Sequence, residues 1–196
     1  MAFQEWFELG FYKLLMNSSG ENNIVCHYEN DYGIQQYDLK MGKKIDGWND
    51  NFEFYYDVTE GEQATDYLAN DMGWLVFSGR LKKMIEELNI KAEFFAVSIR
   101  EKTTNTKLND YYVTNIIETV DALCLEESEY FETVTKKAGT IYTIQKYAVY
   151  GDKLVDKNMF KLPNRQEIPT FVSEIFKEEV SKKSLTGMEF LEIKVV

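Results

Sequence analysis

The single histidine, His27, directly follows Cys26, one of only two cysteines, and a thiol beside an imidazole suggests nucleophilic chemistry. Such a pair works only if the side chains meet, with the imidazole taking the thiol proton. Cys26 and His27 lie in the strand-like run 24–28, where neighbouring side chains point to opposite faces. An inward thiol and an outward imidazole are therefore expected. One histidine and two dispersed cysteines make no zinc site without carboxylates, and Cys26 and Cys124 form neither a CxxC pair nor a disulfide framework.

Carboxylates are the more numerous chemistry. Glu126, Glu127 and Glu129 are close enough in sequence to share a hard cation. A calcium loop, however, spaces its oxygens around a glycine turn, which this stretch lacks, so a solvated acidic face is expected. Asp121 stands between Val120 and Ala122-Leu123 and is expected to be a buried, hydrogen-bonded carboxylate. The chain carries no phosphate-cradling glycine loop, no HExxH and no GxSxG. It identifies no catalytic, cofactor-binding or metal residue.

The carboxylates matter more as a field than as a site. The chain has 33 acids against 22 bases, a net charge of −11. From Ile45 to Gly79 there is no Lys or Arg, but there are eight acids, among them Asp57, Glu60, Glu62 and Asp66. From Leu108 to Thr135 there is again none, with seven acids, among them Glu126, Glu127 and Glu129. Elsewhere bases outnumber acids, so the whole negative excess lies in two windows. Such windows keep a protein soluble and can steer a basic protein partner. They disfavour nucleic acid, which needs a basic stripe. These seven named carboxylates are the candidate partner-binding residues.

The N-terminal Met1-Ala-Phe-Gln-Glu-Trp-Phe-Glu has acids where a secretory leader has bases. No apolar run approaches the roughly 18 residues of a membrane span. A soluble cytoplasmic protein with free buried thiols and no membrane partner is expected. The rest of the chain must position the acids. Residues 1–56 read as a β-rich N-terminal segment integral to the fold, with strands at 11–16, 24–28, 34–39 and 52–56 and a turn at Asn17–Gly20. Residues 57–73 read as an acidic connection with a turn of helix near Thr65–Ala69. Strands are expected at 111–117, 140–143 and 144–149, the last two in a hairpin with 131–134, and 120–130 fits either a strand or a short helix.

Two stretches share one pattern. Val76-Phe-Ser-Gly-Arg-Leu-Lys leads through Met84, Ile85 and Leu88 to Glu93-Phe-Phe-Ala-Val. Phe171-Val-Ser-Glu-Ile-Phe-Lys leads through Val180 and Leu185 to Glu189-Phe-Leu-Glu-Ile. Each reads as strand, Ser N-cap, amphipathic helix and strand. The expected class is α+β, sheet-rich and mostly antiparallel, with strand–helix–strand units at about 74–99 and 169–195 packing helices on the sheets. One compact domain is expected overall.

Taken in order, further stretches join these two. They are Asp66-Tyr-Leu with Asn70, Asp110-Tyr-Tyr-Val-Thr-Asn-Ile-Ile, Val120-Asp-Ala-Leu-Cys-Leu-Glu-Glu-Ser-Glu-Tyr, Phe160-Lys-Leu and Leu185-Thr-Gly-Met-Glu-Phe. Over about residues 40–193 the series resembles the bacterial polymorphic-toxin immunity proteins catalogued as immunity protein eleven, formerly a domain of unknown function. Cys124 stands where that pattern has an acid, and Gly79 where it has Glu. The resemblance makes 57–196 an immunity-type α+β region. It implies a non-enzymatic cytoplasmic antidote that binds a cognate toxin, and it brings no catalytic residue. Two other classes stay open: a small-ligand or carboxylate-site enzyme domain around Asp121 and Glu126–Glu129, and a structural interaction module. The toxin and the oligomeric state are not readable.

Overall fold

The computed structural model describes residues 10–17, 20, 22–136 and 139–196. The acidic N-terminal stretch and Ser18-Ser19 of the expected turn lie outside the described residues. In chain order the described elements are β1 (Phe11–Met16), β2 (Val25–Cys26), β3 (Glu53–Tyr56), β4 (Tyr67–Asn70), β5 (Leu75–Ser78), α1 (Gly79–Glu87), β6 (Ala92–Ala96), β7 (Ser98–Glu101), β8 (Lys107–Leu108), β9 (Tyr111–Ile116), β10 (Glu129–Thr135), β11 (Gly139–Lys146), β12 (Ala148–Val149), β13 (Met159–Phe160), β14 (Phe171–Ser173), α2 (Glu174–Lys182) and β15 (Met188–Val195). Strands dominate and most pairings are antiparallel, which makes the fold α+β.

Both strand–helix–strand units form, and both are split. β5 and β6 flank β9, each antiparallel to it. β14 and β15 flank β1, each antiparallel to it. Each helix therefore crosses over a central strand from outside its own unit, β9 shortly downstream for α1 and β1 far upstream for α2. The helices begin and end alike. Ser78 and Ser173 cap α1 and α2 by accepting the backbone N–H of Leu81 and Phe176, which satisfies one of the free donors of a helix start. At the other end Asn89 and Ser184 adopt positive φ. Ile90 and Leu185 then reach back to the carbonyls of Ile85 and Val180, the bond of a Schellman stop.

The sheets and helices stack in layers. Along β5, Val76 joins one core, with Phe52, Phe54 and Trp74, while Phe77 joins another. Along β14, Val172 joins that same second core, while Phe171 joins a third, with Phe11 and Phe160. Side chains alternate across a strand, so each five-stranded sheet is covered on both faces. The middle core holds both helices, through Leu81, Met84 and Ile85 of α1 and Phe176 and Val180 of α2.

Four expectations are revised here. Tyr67–Asn70 is no turn of helix but a strand buried at all four positions, between β2 and β5. Leu68 and Ala69 favour helix locally, and pairing on both sides overrides that preference. Residues 34–39 form turns and a short 3₁₀ segment rather than a strand. There Asp38 accepts the Gln35 N–H at 2.9 Å, a local bond that competes with a sheet ladder. The run 120–130 is mostly irregular, with one 3₁₀ turn at Leu125–Glu127. The expected strands at 140–143 and 144–149 become one long β11 and the separate β12.

The two capping serines are held from behind by the same kind of residue. Ser173 donates its backbone N–H to the Asn158 carbonyl and its hydroxyl to Asn158 Oδ1 at 2.8 Å. Ser78 donates its N–H to the Asp66 carbonyl and its hydroxyl to Asp66 Oδ1 at 2.6 Å. The second oxygen, Asp66 Oδ2, accepts the Thr186 N–H at 3.0 Å, in the turn that leads into β15. Gly187 closes that turn at φ +87, where a Cβ would meet the Tyr67 carbonyl at 2.3 Å. Replacing Ser173 by Ala should cost about 1 kcal/mol, the loss of a cap. Replacing Ser78 by Ala should cost about 2–3 kcal/mol, because it also strips a hydrogen bond from a buried carboxylate. Urea unfolding of the two variants measures the difference, and equal losses would refute the special weight given to Asp66.

Candidate partner-binding surface

Among the described residues, β10 and β11 form a ribbon that pairs with no other strand. Their register sets Tyr130 opposite Ile144, Phe131 opposite Thr143, Glu132 opposite Tyr142 and Val134 opposite Thr140. An isolated two-stranded hairpin is marginal in water, so the ribbon depends on bracing at its root. Ile144 packs against the outer core. Gln166, buried, donates to the Tyr142 carbonyl at 2.8 Å and accepts from the Tyr147 hydroxyl at 3.1 Å. Ser128 accepts the Ala148 N–H and donates to the Cys124 carbonyl. The Tyr130 and Tyr142 rings meet edge-on at 5.2 Å.

Beyond the root the ribbon is open. Phe131 is 61% and Val134 75% exposed, and Tyr130 is exposed as well. Burying such side chains is favourable by roughly 1.5–3 kcal/mol each, and large exposed apolar groups beside polar ones mark interaction surfaces. Glu132 stands exposed among them. The expected hairpin forms, but its isolation and the exposure of its apolar side chains, Tyr130 and Val134 on one face and Phe131 on the other, were not readable from the sequence.

The seven candidate carboxylates divide into two groups. Glu126, Glu127 and Glu129 sit at the ribbon root, and all three are exposed. Glu127 pairs with Lys194 at 2.5 Å and Glu129 with Lys146 at 2.8 Å, and the Lys194 ammonium holds the Glu127 carboxyl below its ordinary value. The adjoining cleft of about 400 Å³ offers Lys13, Lys146 and Lys194 beside Glu127, Glu129 and Glu192. Its charges are mixed, so the carboxylates do not converge there. Asp121, expected to be buried, is exposed, and its carbonyl rather than its carboxylate takes the Lys153 amine.

The other four surround β2, β3 and β4. Asp57 Oδ1 accepts from the N–H and hydroxyl of Thr59, bonds that hold its carboxyl low. Glu62 is exposed, its backbone tied to Asn22. Asp66 cannot meet a partner: it is 5% exposed, and its oxygens face Ser78 and Thr186. Charge alone nominated it, and burial removes it from the surface. Glu60 meets His27.

Cys26 and His27 do turn to opposite faces. The thiol is fully buried in the core, and burial pushes it up to about 12, so it is no thiolate nucleophile. His27 Nε2 lies 2.6 Å from Glu60 and Nδ1 2.7 Å from Asp71. Burial lowers its proton affinity, but the hydrogen bonds to Glu60 and Asp71 and their charges prevail, and the net shift is upward. The imidazolium form, which donates from both nitrogens, is therefore favoured. A folded-state pKa above about 6.5 gives stability that is complete below that pH and lost as pH rises through the higher folded value. The stability gap between the wild type and a His27→Gln variant, measured by urea unfolding, should be larger at about pH 5.5 than at about pH 8.5. A gap independent of pH would refute the clasp. Among the described residues no group of three or more His, Cys, Asp or Glu is arranged to hold a metal ion.

The geometry is that of a layered scaffold with an outward apolar arm and dispersed, partly paired acids. No curated protein matches the chain. A family model described as Immunity protein family (Imm11) matches residues 10–195, a longer span than the motifs delimit, taking in β1 at one end and β15 at the other. The chain belongs to the Imm11 immunity protein family.

Proposed function

We propose that this protein neutralises a cognate bacterial toxin in the cytoplasm by direct protein–protein contact, without chemistry of its own. The match to an immunity family along residues 10–195 carries the proposal. Immunity demands tight and selective binding, and such interfaces concentrate their energy in a few aromatic or apolar anchors ringed by polar groups. The β10–β11 ribbon offers such anchors on both of its faces, Phe131 on one and Tyr130 and Val134 on the other, beside Glu129 and Glu132. The acidic excess supplies long-range attraction. A basic toxin would be steered by it and then held by the apolar arm, since charge chiefly raises the association rate and sets specificity. Glu62 and Glu126 contribute to that field, whereas Glu60 is paired with His27, and Glu127 and Glu129 with their lysines.

Co-expression with the cognate toxin should restore growth of a sensitive host, and absence of rescue would defeat the proposal. Within the complex, Phe131→Ala should weaken binding about 30-fold, or about 2 kcal/mol, while leaving the unfolding midpoint of the free protein unchanged, because the side chain lies in water. Unaltered affinity in both Phe131→Ala and Val134→Ala would place the contact elsewhere on the surface.

A further inference from the structure

Past Lys13, β1 loses its neighbour β14: Leu14 still donates its N–H to the Thr170 carbonyl, and the ladder ends. A cavity of about 190 Å³ opens there, between this half of β1, the Trp74 turn and the 168–170 loop. Its lining includes Lys13, Lys40 and Lys161 and no carboxylate, in a chain whose net charge is −11. Among the described residues none of these three lysines has an ion-pair partner.

Lys161 is 2% exposed. Its ammonium donates to the Glu167 carbonyl at 2.9 Å and the Thr170 hydroxyl at 3.3 Å, and one of its three N–H donors is left over. A buried cation without a counter-charge is costly. Burial first, and the Lys40 charge second, draw Lys161 down to about 8 against the weaker opposing charge of Glu167, and burial lowers Lys40 too. By strand alternation Met16 presents the next N–H on this open edge of β1. Negative charge is what the cavity lacks. Apart from the lysines, Tyr67 and Thr170, its walls are apolar, with Leu39, Trp74 and Ile168 among them. The apolar walls suit a short hydrocarbon tail. A cavity of about 150 Å³ is enough to hold a benzene-sized molecule.

We infer that this cavity binds a small organic carboxylate from solution, its anionic head between Lys40 and Lys161 and its apolar tail against Leu39 and Trp74. The inference is independent of toxin binding. Thermal unfolding of the whole chain in sodium butyrate, against sodium chloride of equal ionic strength, tests it. At about tenfold excess over Kd the midpoint should rise by about 3–6 °C. Butyramide, uncharged and of the same shape, should produce no rise. The Lys40→Met variant, altered at a half-buried position outside the core, should fold and lose the butyrate effect. Inorganic phosphate should move wild type and variant equally, as a salt effect on any protein. A butyrate rise that persists in Lys40→Met, an equal rise with butyramide, or no rise up to about 100 mM butyrate would each overturn the inference. So would a phosphate rise that requires Lys40 where butyrate gives none.

Discussion

One buried carboxylate ties the architecture together. Asp66 precedes β4, yet its oxygens reach the cap of α1 through Ser78 and the turn after α2 through Thr186, 120 positions away. A buried charge is tolerated only when its hydrogen-bonding capacity is met. Asp66 meets it with donors from both helical units, and Arg80 at 3.5 Å adds an opposite charge at the rim. The Tyr67 N–H, donating to the Thr186 carbonyl, completes the join. The two split units are thus fixed to each other by directional bonds as well as by the helix-filled middle core. Apolar burial alone would let the sheets slide; a charge with assigned donors sets one registration.

That join also decides what the acidic composition means. Asp66 comes from the same base-free window as Glu60 and Glu62, and nothing in its neighbours of like charge marks it as structural. Its neighbour Tyr67 begins a strand that is buried throughout, and burial rather than charge density assigns its role. At the ribbon root the reverse holds. Glu127 and Glu129 remain exposed, but Lys194 and Lys146, distant in sequence, cancel much of their field. A carboxylate in a base-free window is not a carboxylate without a base, because the missing cation comes from another strand.

The helical units were legible because their signals are local. A serine, a 3.6-residue apolar period and a β-branched or aromatic run lie within some 25 residues of one another, and Ser78 and Ser173 cap as the pattern requires. β4 was illegible because Tyr67-Leu-Ala-Asn has no strong strand preference and becomes a strand only between β2 and β5. The exposed arm was half legible. Its hairpin is written in alternating Thr, Tyr, Phe and Val, but whether a third strand covers Phe131 depends on topology, which alternation does not encode. Gly79, where the family pattern has Glu, has a local reason: a Cβ there would meet the Asp110 carboxylate at 2.0 Å. Asp110 thus brings a negative charge to the start of α1, where the helix dipole favours one.

The placing of β1 between β14 and β15 has a consequence in time. Phe11 pairs with Ser173 and Ile193, so both neighbours of β1 leave the ribosome about 160 residues after it. At roughly 5–20 residues per second, the nascent chain carries an unsatisfied strand for about 10–30 s, while β5, β6 and β9 already have all their strand partners. Translation therefore orders the assembly of these strands, and the sheet around β1 closes after the sheet around β9. Any surface that depends on that sheet is complete only once β15 has been made.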